Sequence, residues 1–139
     1  MKLSAKSDYA TRAVLGLSRH FPSGAAQRVE TLAREQGIPA KYLVQILIDL
    51  KSASIVRSQR GKVGGYLLAR PPRSITLGEV LRCVHGPLLE TSALADPLCP
   101  VELKHAWRSL QHALEQAANG ITFQQLLEQG EAKDKMYYI

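Results

Sequence analysis

Arg57-Ser58-Gln59-Arg60-Gly61-Lys62-Val63-Gly64-Gly65-Tyr66-Leu67-Leu68 sets three glycines and three cations between two short apolar runs, Ile55-Val56 and Tyr66-Leu67-Leu68-Ala69. Apolar runs on either side of a Gly-rich connection read as a β-hairpin. Glycine supplies the positive φ of the turn and lets backbone amides approach a partner closely. Arg57, Arg60 and Lys62 charge the tip positively, which suits phosphate.

Upstream, Pro39 suits the first turn of a helix whose buried stripe is Leu43, Ile46, Leu47 and Leu50. Before it, a helix runs from around Val29 through Leu32-Ala33 to Gly37, a good C-cap, although neither Gln27 nor Arg28 is a strong N-cap. These two helices, joined by Gly37-Ile38-Pro39, form a helix-turn-helix whose second member usually lies in the major groove. Its outward face offers Lys41, Tyr42, Val44, Gln45, Ile48 and Asp49. Lys41 and Gln45 suit phosphates or base edges, and Gln pairs well with adenine. Val44 and Ile48 either touch thymine methyls or pack on a neighbouring element, with packing favoured. Ser7 is a plausible N-cap for an amphipathic first helix carrying Ala10, Ala13, Val14, Leu17 and Phe21, ended by Pro22-Ser23-Gly24. A cationic hairpin directly after such helices is the layout of a winged helix-turn-helix, and it points to a DNA-binding regulator.

Downstream, Pro71-Pro72 closes the hairpin region, and Thr76-Leu77-Gly78-Glu79 is a capping box. The helix it opens buries Leu77, Val80, Leu81 and Val84 and ends at Gly86-Pro87. Residues 86–100 read as a loop, of a length that is usually functional or mobile. A long helix over 101–118 then spaces Leu103, Trp107, Leu110, Leu114 and Ala117 by 4, 3, 4 and 3, a heptad seam. The seam pairs with a second copy or packs back on the first helix, and dimerisation is favoured. Asn119-Gly120 caps this helix, and Thr122-Phe123-Gln124-Gln125 opens a last short one. The tail Lys133-Asp134-Lys135-Met136-Tyr137-Tyr138-Ile139 has no assignment. The expected fold is mainly α with a small β-hairpin wing: a winged helix-turn-helix over 1–76, then a sensing loop and dimerisation helices over 77–139.

Charge supports this division. Residues 1–73 hold 13 Lys/Arg against 4 Asp/Glu, and residues 74–139 hold 5 against 8, within an overall net of +6. Nucleic-acid binding proteins commonly gather cations on one module. The 139 residues suffice for one domain with a real core. No apolar run approaches a bilayer span, and Met1-Lys2-Leu3-Ser4-Ala5-Lys6 has no apolar core of a secretory signal, so a cytoplasmic chain is expected. Two cysteines, Cys83 and Cys99, make no disulfide framework.

Taken together, Met1-Lys2-Leu3-Ser4, Asp8-Tyr9-Ala10, Arg12-Ala13, Gly37-Ile38-Pro39, Tyr42-Leu43, Gln45-Ile46-Leu47 and Leu50 resemble one family, as does the wing from Ser58 to Pro72. It is the Rrf-type family of bacterial transcription regulators, which includes the iron–sulfur cluster regulator, the nitric-oxide-sensitive repressor and the repressor of cysteine metabolism. The resemblance covers essentially the whole chain, and the wing is its most specific part. It implies a homodimer that binds a palindromic operator in double-stranded DNA, usually as a repressor. The DNA-contacting set would be Lys2, Ser4, Arg28, Lys41, Tyr42, Gln45, Ser58, Arg60, Gly61, Lys62, Gly64, Gly65 and Tyr66.

Many members hold an iron–sulfur cluster through three close cysteines before the long helix. Here only Cys99 lies in that loop, with Cys83 earlier, Asp8 at a position that looks like a ligand in some members, and His105 nearby. One loop thiolate falls short of the thiolate set that clusters normally need, so no cofactor and no metal are expected. Sensing would then use a small-molecule effector, a partner protein or oxidation of Cys99. Neither a Ser/His/Asp order, a P-loop nor a dinucleotide fingerprint is present, which argues against an enzyme. The alternative is a winged-helix protein-interaction module without DNA activity, for which a cationic tip serves no purpose.

Overall fold

Ser4, rather than Ser7, opens the first helix: its Oγ accepts from the Ser7 amide at 3.1 Å. Ser7 sits one turn inside, fully buried, with its hydroxyl 3.1 Å from that of Ser4. The earlier cap draws Ala5 and Lys6 into the helix, which places Lys6 within reach of Asp49. The computed structural model describes residues 2–137 and the side chains as far as Lys133. Helix α1 spans Ala5–His20 and ends in a 3-10 turn at Phe21–Ser23. Helices α2 (Val29–Gln36) and α3 (Ala40–Ser52) follow, then strands β1 (Val56–Gln59) and β2 (Gly65–Leu68). Helices α4 (Leu77–Val84), α5 (Val101–Asn119) and α6 (Phe123–Tyr137) complete the chain.

The core is assembled from the apolar stripes of the first three helices. Ala10, Ala13, Val14 and Leu17 of α1 meet Leu32 and Ala33 of α2, and Leu43, Ile46, Leu47 and Leu50 of α3. Gly16 lies at the α1–α2 contact, where a Cβ would stand 2.8 Å from the ends of the Leu32 and Gln36 side chains and push them aside. Gly37 turns α2 into α3 at φ 66°, a region that L side chains rarely adopt.

Strands β1 and β2 pair antiparallel, Val56 opposite Leu68 and Gln59 opposite Gly65. Val56, Leu67 and Leu68 are buried, so the root of the hairpin is anchored while its tip stays in solvent. A second anchor is an isolated bridge. The Gln27 amide donates to the Tyr66 carbonyl at 2.7 Å, and the Tyr66 amide donates to that of Gln27 at 2.9 Å. The hairpin is thereby tied to the residues that lead into α2.

The second half folds back onto the first. Thr76 and Thr122 form another isolated bridge, flanked by bonds from Leu77 to the Ile121 carbonyl and from Phe123 to the Ile75 carbonyl. This brings Phe123 fully into the core and lays α6 along α1. Helix α5 rests on α4, where Arg82 Nη1 donates to Glu115 Oε2 at 2.9 Å and to Asn119 Oδ1 at 2.7 Å. The neighbours of α1 in the second half are thus α4 and α6, and the expected alternative of α5 on α1 is corrected.

Three further expectations are refined. Thr76 Oγ1 does accept from the Glu79 amide at 3.1 Å, but the Glu79 carboxylate pairs with Arg70, a charge-assisted bond stronger than the return contact of a capping box. The Thr122 box is reciprocal, with Gln125 bonding back to the Thr122 amide at 3.0 Å. Its helix is not short, for it runs 15 residues and takes in Lys133–Tyr137 of the unassigned tail. Tyr138 and Ile139 lie outside the described residues. The loop before α5 contains a 3-10 turn at Ser92–Ala95, started by Thr91 Oγ1 accepting from the Ala93 amide. No helix among the described residues is long and apolar enough to cross a membrane.

Candidate nucleic-acid interface

Helix α3 shows two different faces. Leu43, Ile46, Leu47 and Leu50 are buried, while Lys41, Tyr42, Val44, Gln45 and Ile48 are exposed, as 3.6-residue periodicity requires. Val44 and Ile48 remain 47% and 46% exposed, so the packing expected of them within this chain is not found. They lie on the far side of the helix from the core, and no element among the described residues buries them. The Tyr42 ring stands 6.3 Å from that of Tyr9, with Lys41 Nζ 5.1 Å above it. Tyr9, Tyr42, Lys6 and Gln45 border a cleft of about 440 Å³ between α1 and α3.

Gln45 is held rather than free. Its Nε2 donates to Asp49 Oδ1 at 3.2 Å, and Lys6 Nζ lies 2.7 Å from Asp49 Oδ2. The Lys6 ammonium holds the Asp49 carboxyl below its usual range, against a smaller opposing effect of burial. Cys83 of α4 donates its thiol to the Asp49 carbonyl at 3.4 Å, and burial pushes that thiol up. Asp49 therefore joins α1, α3 and α4.

The wing is shaped by its glycines. Gly61 takes φ 111° at the tip, and a Cβ on Gly64 would fall 2.5 Å from the Gln59 carbonyl oxygen. Gly65, at φ 149°, is tighter still, with a Cβ only 2.2 Å from the Gln27 oxygen. Gly64 and Gly65 exclude side chains because backbone meets backbone there, whereas Gly61 is favoured by its positive φ alone. Ser58, Arg60, Gly61 and Lys62 are exposed, Gly64 and Gly65 are half-buried, and Tyr66 is half-buried at the root. Arg28, Gln59, Lys62 and Gly64 line a cleft of about 410 Å³ between the start of α2 and the wing.

The cations divide into two sets. Lys6, Arg12, Arg70 and Arg82 each pair with a carboxylate. Among the described residues the other Lys and Arg side chains form no ion pair, and they include Lys2, Arg28, Lys41, Arg57, Arg60 and Lys62. Unpaired exposed cations on α3 and the wing leave positive charge available to a polyanion. Lys2 and Ser4 sit at the start of α1, and Ser4 is engaged as its cap. Sequence reasoning missed the roles of Lys6, Gln27 and Asp49. The Gln45–Asp49 spacing of one helical turn was the visible signal, whereas the two long-range bonds left no trace in the sequence.

The residues assigned to dimerisation lie along one helix but differ in cover. Leu103 and Leu110 are 44% and 45% exposed, Trp107 and Leu114 are half-buried, and Ala117 is exposed beside the buried Ala118.

Donors for an iron–sulfur centre do not assemble. Asp8 is exposed and bonded to Arg12, with Oδ2 2.8 Å from Nη2. Cys99 is half-buried with its sulfur directed at the Pro100 carbonyl, 3.7 Å away, and Cys83 is directed at Asp49. Among the described residues no three His, Cys, Asp or Glu side chains converge on one point. The described side chains of one chain do not fit such a centre.

Comparison with known proteins agrees with the fold. Residues 3–129 match the Rrf2 family, described as an iron-dependent transcriptional regulator. A chain of Mycobacterium tuberculosis strain H37Rv, Rv1287, named as an HTH-type transcriptional regulator, is 40% identical over 119 residues, covering 82% of this chain and 73% of that one. The HTH-type transcriptional regulator CymR of Bacillus subtilis is 28% identical over the full length of both chains. Among solved structures, T. potens IscR superposes with a TM-score of 0.81 at 30% identity, covering 99% of this chain and 97% of that one. The chain belongs to the Rrf2 family and is a DNA-binding transcriptional regulator, not an enzyme.

Proposed function

We propose that the chain acts in the cytoplasm as a homodimeric repressor of a palindromic operator. Residues 1–76 serve as the DNA-binding module, and residues 77–139 as the sensing loop and dimerisation helices. In this reading α3 enters the major groove, with Lys41, Tyr42 and Gln45 at the bases and phosphates. The wing follows the backbone or the minor groove through Ser58, Arg60, Gly61 and Lys62, with Gly64, Gly65 and Tyr66 shaping its root. Lys2, Ser4 and Arg28 contact phosphates. The observation that carries the reading is exposed charge without an ion-pair partner among the described residues, Lys41 on α3 and Arg57, Arg60 and Lys62 on the wing, on the two elements that a winged helix-turn-helix presents to duplex.

Two copies joined along Leu103, Trp107, Leu110, Leu114 and Ala117 would present two reading helices about 34 Å apart, one turn of duplex. The signal would arrive as a small-molecule effector, a partner protein or oxidation at Cys99.

Fluorescence anisotropy with duplex DNA over a salt series tests the proposal. Binding that weakens steeply with salt, with two chains per operator, is the expected result. A folded chain that binds no duplex at low salt would instead be a protein-interaction module.

A further inference from the structure

Asp49 takes no part in the DNA contacts proposed above, yet it is the most connected polar residue of α3. Its carboxylate has only acceptor atoms, so the 3.2 Å bond to Gln45 must be donated by the Gln45 amide nitrogen. That bond decides which way the amide faces. Lys6 fixes the carboxylate from α1 at 2.7 Å, and Cys83 fixes the Asp49 backbone from α4 at 3.4 Å. Gln45 is left with its carbonyl oxygen and one N–H unpartnered among the described residues, on an exposed face of the helix.

We propose that Asp49 is a positioning residue that orients Gln45 to read adenine and reject guanine in the operator. This rests on the DNA-binding role of α3 given above. Adenine offers an amino donor at N6 and an acceptor at N7, which match one carbonyl oxygen and one N–H. Guanine offers two acceptors, O6 and N7. A held Gln45 meets it with one donor and one acceptor, so the Gln45 oxygen faces O6. Rejection comes from an unmatched polar pair, the strongest kind of discrimination a hydrogen-bonding site achieves. Without Asp49 the amide turns freely and its second N–H becomes available, so both purines are served.

The test is selection of bound duplexes from a randomised pool, using the full chain and four variants whose folding is checked by thermal melting. Gln45→Ala identifies the operator position that Gln45 reads by erasing the preference there. At that position the wild-type chain should favour adenine over guanine by about tenfold or more, the worth of a good bidentate contact. Asp49→Ala should bring this ratio to within about threefold of parity, while preferences elsewhere in the operator are kept. Asp49→Ser is too short to reach the amide and should behave alike, which keeps the test decisive if the alanine variant does not fold. Asp49→Asn, whose carboxamide oxygen can still accept from Gln45, should restore most of the preference.

A merely structural role would weaken binding to all sequences equally. An adenine-to-guanine ratio unchanged in Asp49→Ala or Asp49→Ser overturns this inference alone, as does a Gln45→Ala variant that alters no position. A wild-type chain that selects no sequence overturns the operator-binding function itself.

Discussion

The wing and α5 are both exposed, for opposite reasons. The wing presents Arg57, Arg60 and Lys62 without carboxylate partners among the described residues, on a backbone that its own glycines and the Gln27–Tyr66 bridge hold in shape. Helix α5 presents Leu103 and Leu110, nearly half exposed, on a helix braced by α4 and by the loop that precedes it, where Gln111 Nε2 donates to the Leu89 carbonyl at 3.0 Å. Exposed charge is already at rest in water. Exposed leucines in a heptad row are stable only when something apolar covers them. The first surface suits a polyanion, and in the proposed dimer the second meets a copy of itself.

The largest effect should come from spoiling the apolar surface. Leu110→Glu places a carboxylate in the seam of both copies, and a cost of at least about 3 kcal/mol corresponds to roughly a hundredfold or more in dimer dissociation. Sedimentation equilibrium should find monomers at micromolar concentration where the wild type is dimeric. A monomeric wild type would remove the contrast altogether.

Next comes the shape of the wing. Gly65→Ala forces a Cβ to 2.2 Å from the Gln27 oxygen at a positive φ. Strain of about 1–3 kcal/mol should detach the hairpin from α2. Faster amide exchange at Tyr66 and weaker operator binding, with the dimer intact, is the expected pair of results.

The charge of the wing should matter less per residue. Arg60→Ala should cost about 1–3 kcal/mol of binding if it meets base edges, and the Arg60→Ala/Lys62→Ala double variant should reduce the salt slope by about 2. Unchanged operator affinity in the double variant would break the wing side of the comparison.

The smallest effect concerns acid stability. Lys6 lowers the folded-state value of Asp49 below its unfolded 3.8, so the pair stabilises the fold above that value. That contribution is lost as the pH falls through the lowered folded value. The melting-temperature advantage of the wild type over Asp49→Asn should be present at neutral pH and shrink below about pH 4. An advantage that persists to pH 2 would assign the difference to packing.

Local chemistry made much of this protein legible in its residues. The glycines and β-formers of 55–69, the i, i+3, i+4, i+7 stripe of α3, the Gly37 turn and the Thr76 and Thr122 caps each act within a few residues, so hairpin, helix-turn-helix and helix ends could be read directly. Ser4 and Ser7 show the limit of that reading: both are capping residues three apart, and burial of Ser7 against the core decided between them. Long-range closure belonged to the tertiary structure. The Gln27–Tyr66 and Thr76–Thr122 bridges, Phe123 in the core, α6 rather than α5 along α1, and the Lys6–Asp49–Gln45 chain join residues distant in sequence. Such contacts depend on where whole elements dock, a property of shared packing to which no single stretch of sequence contributes more than one surface.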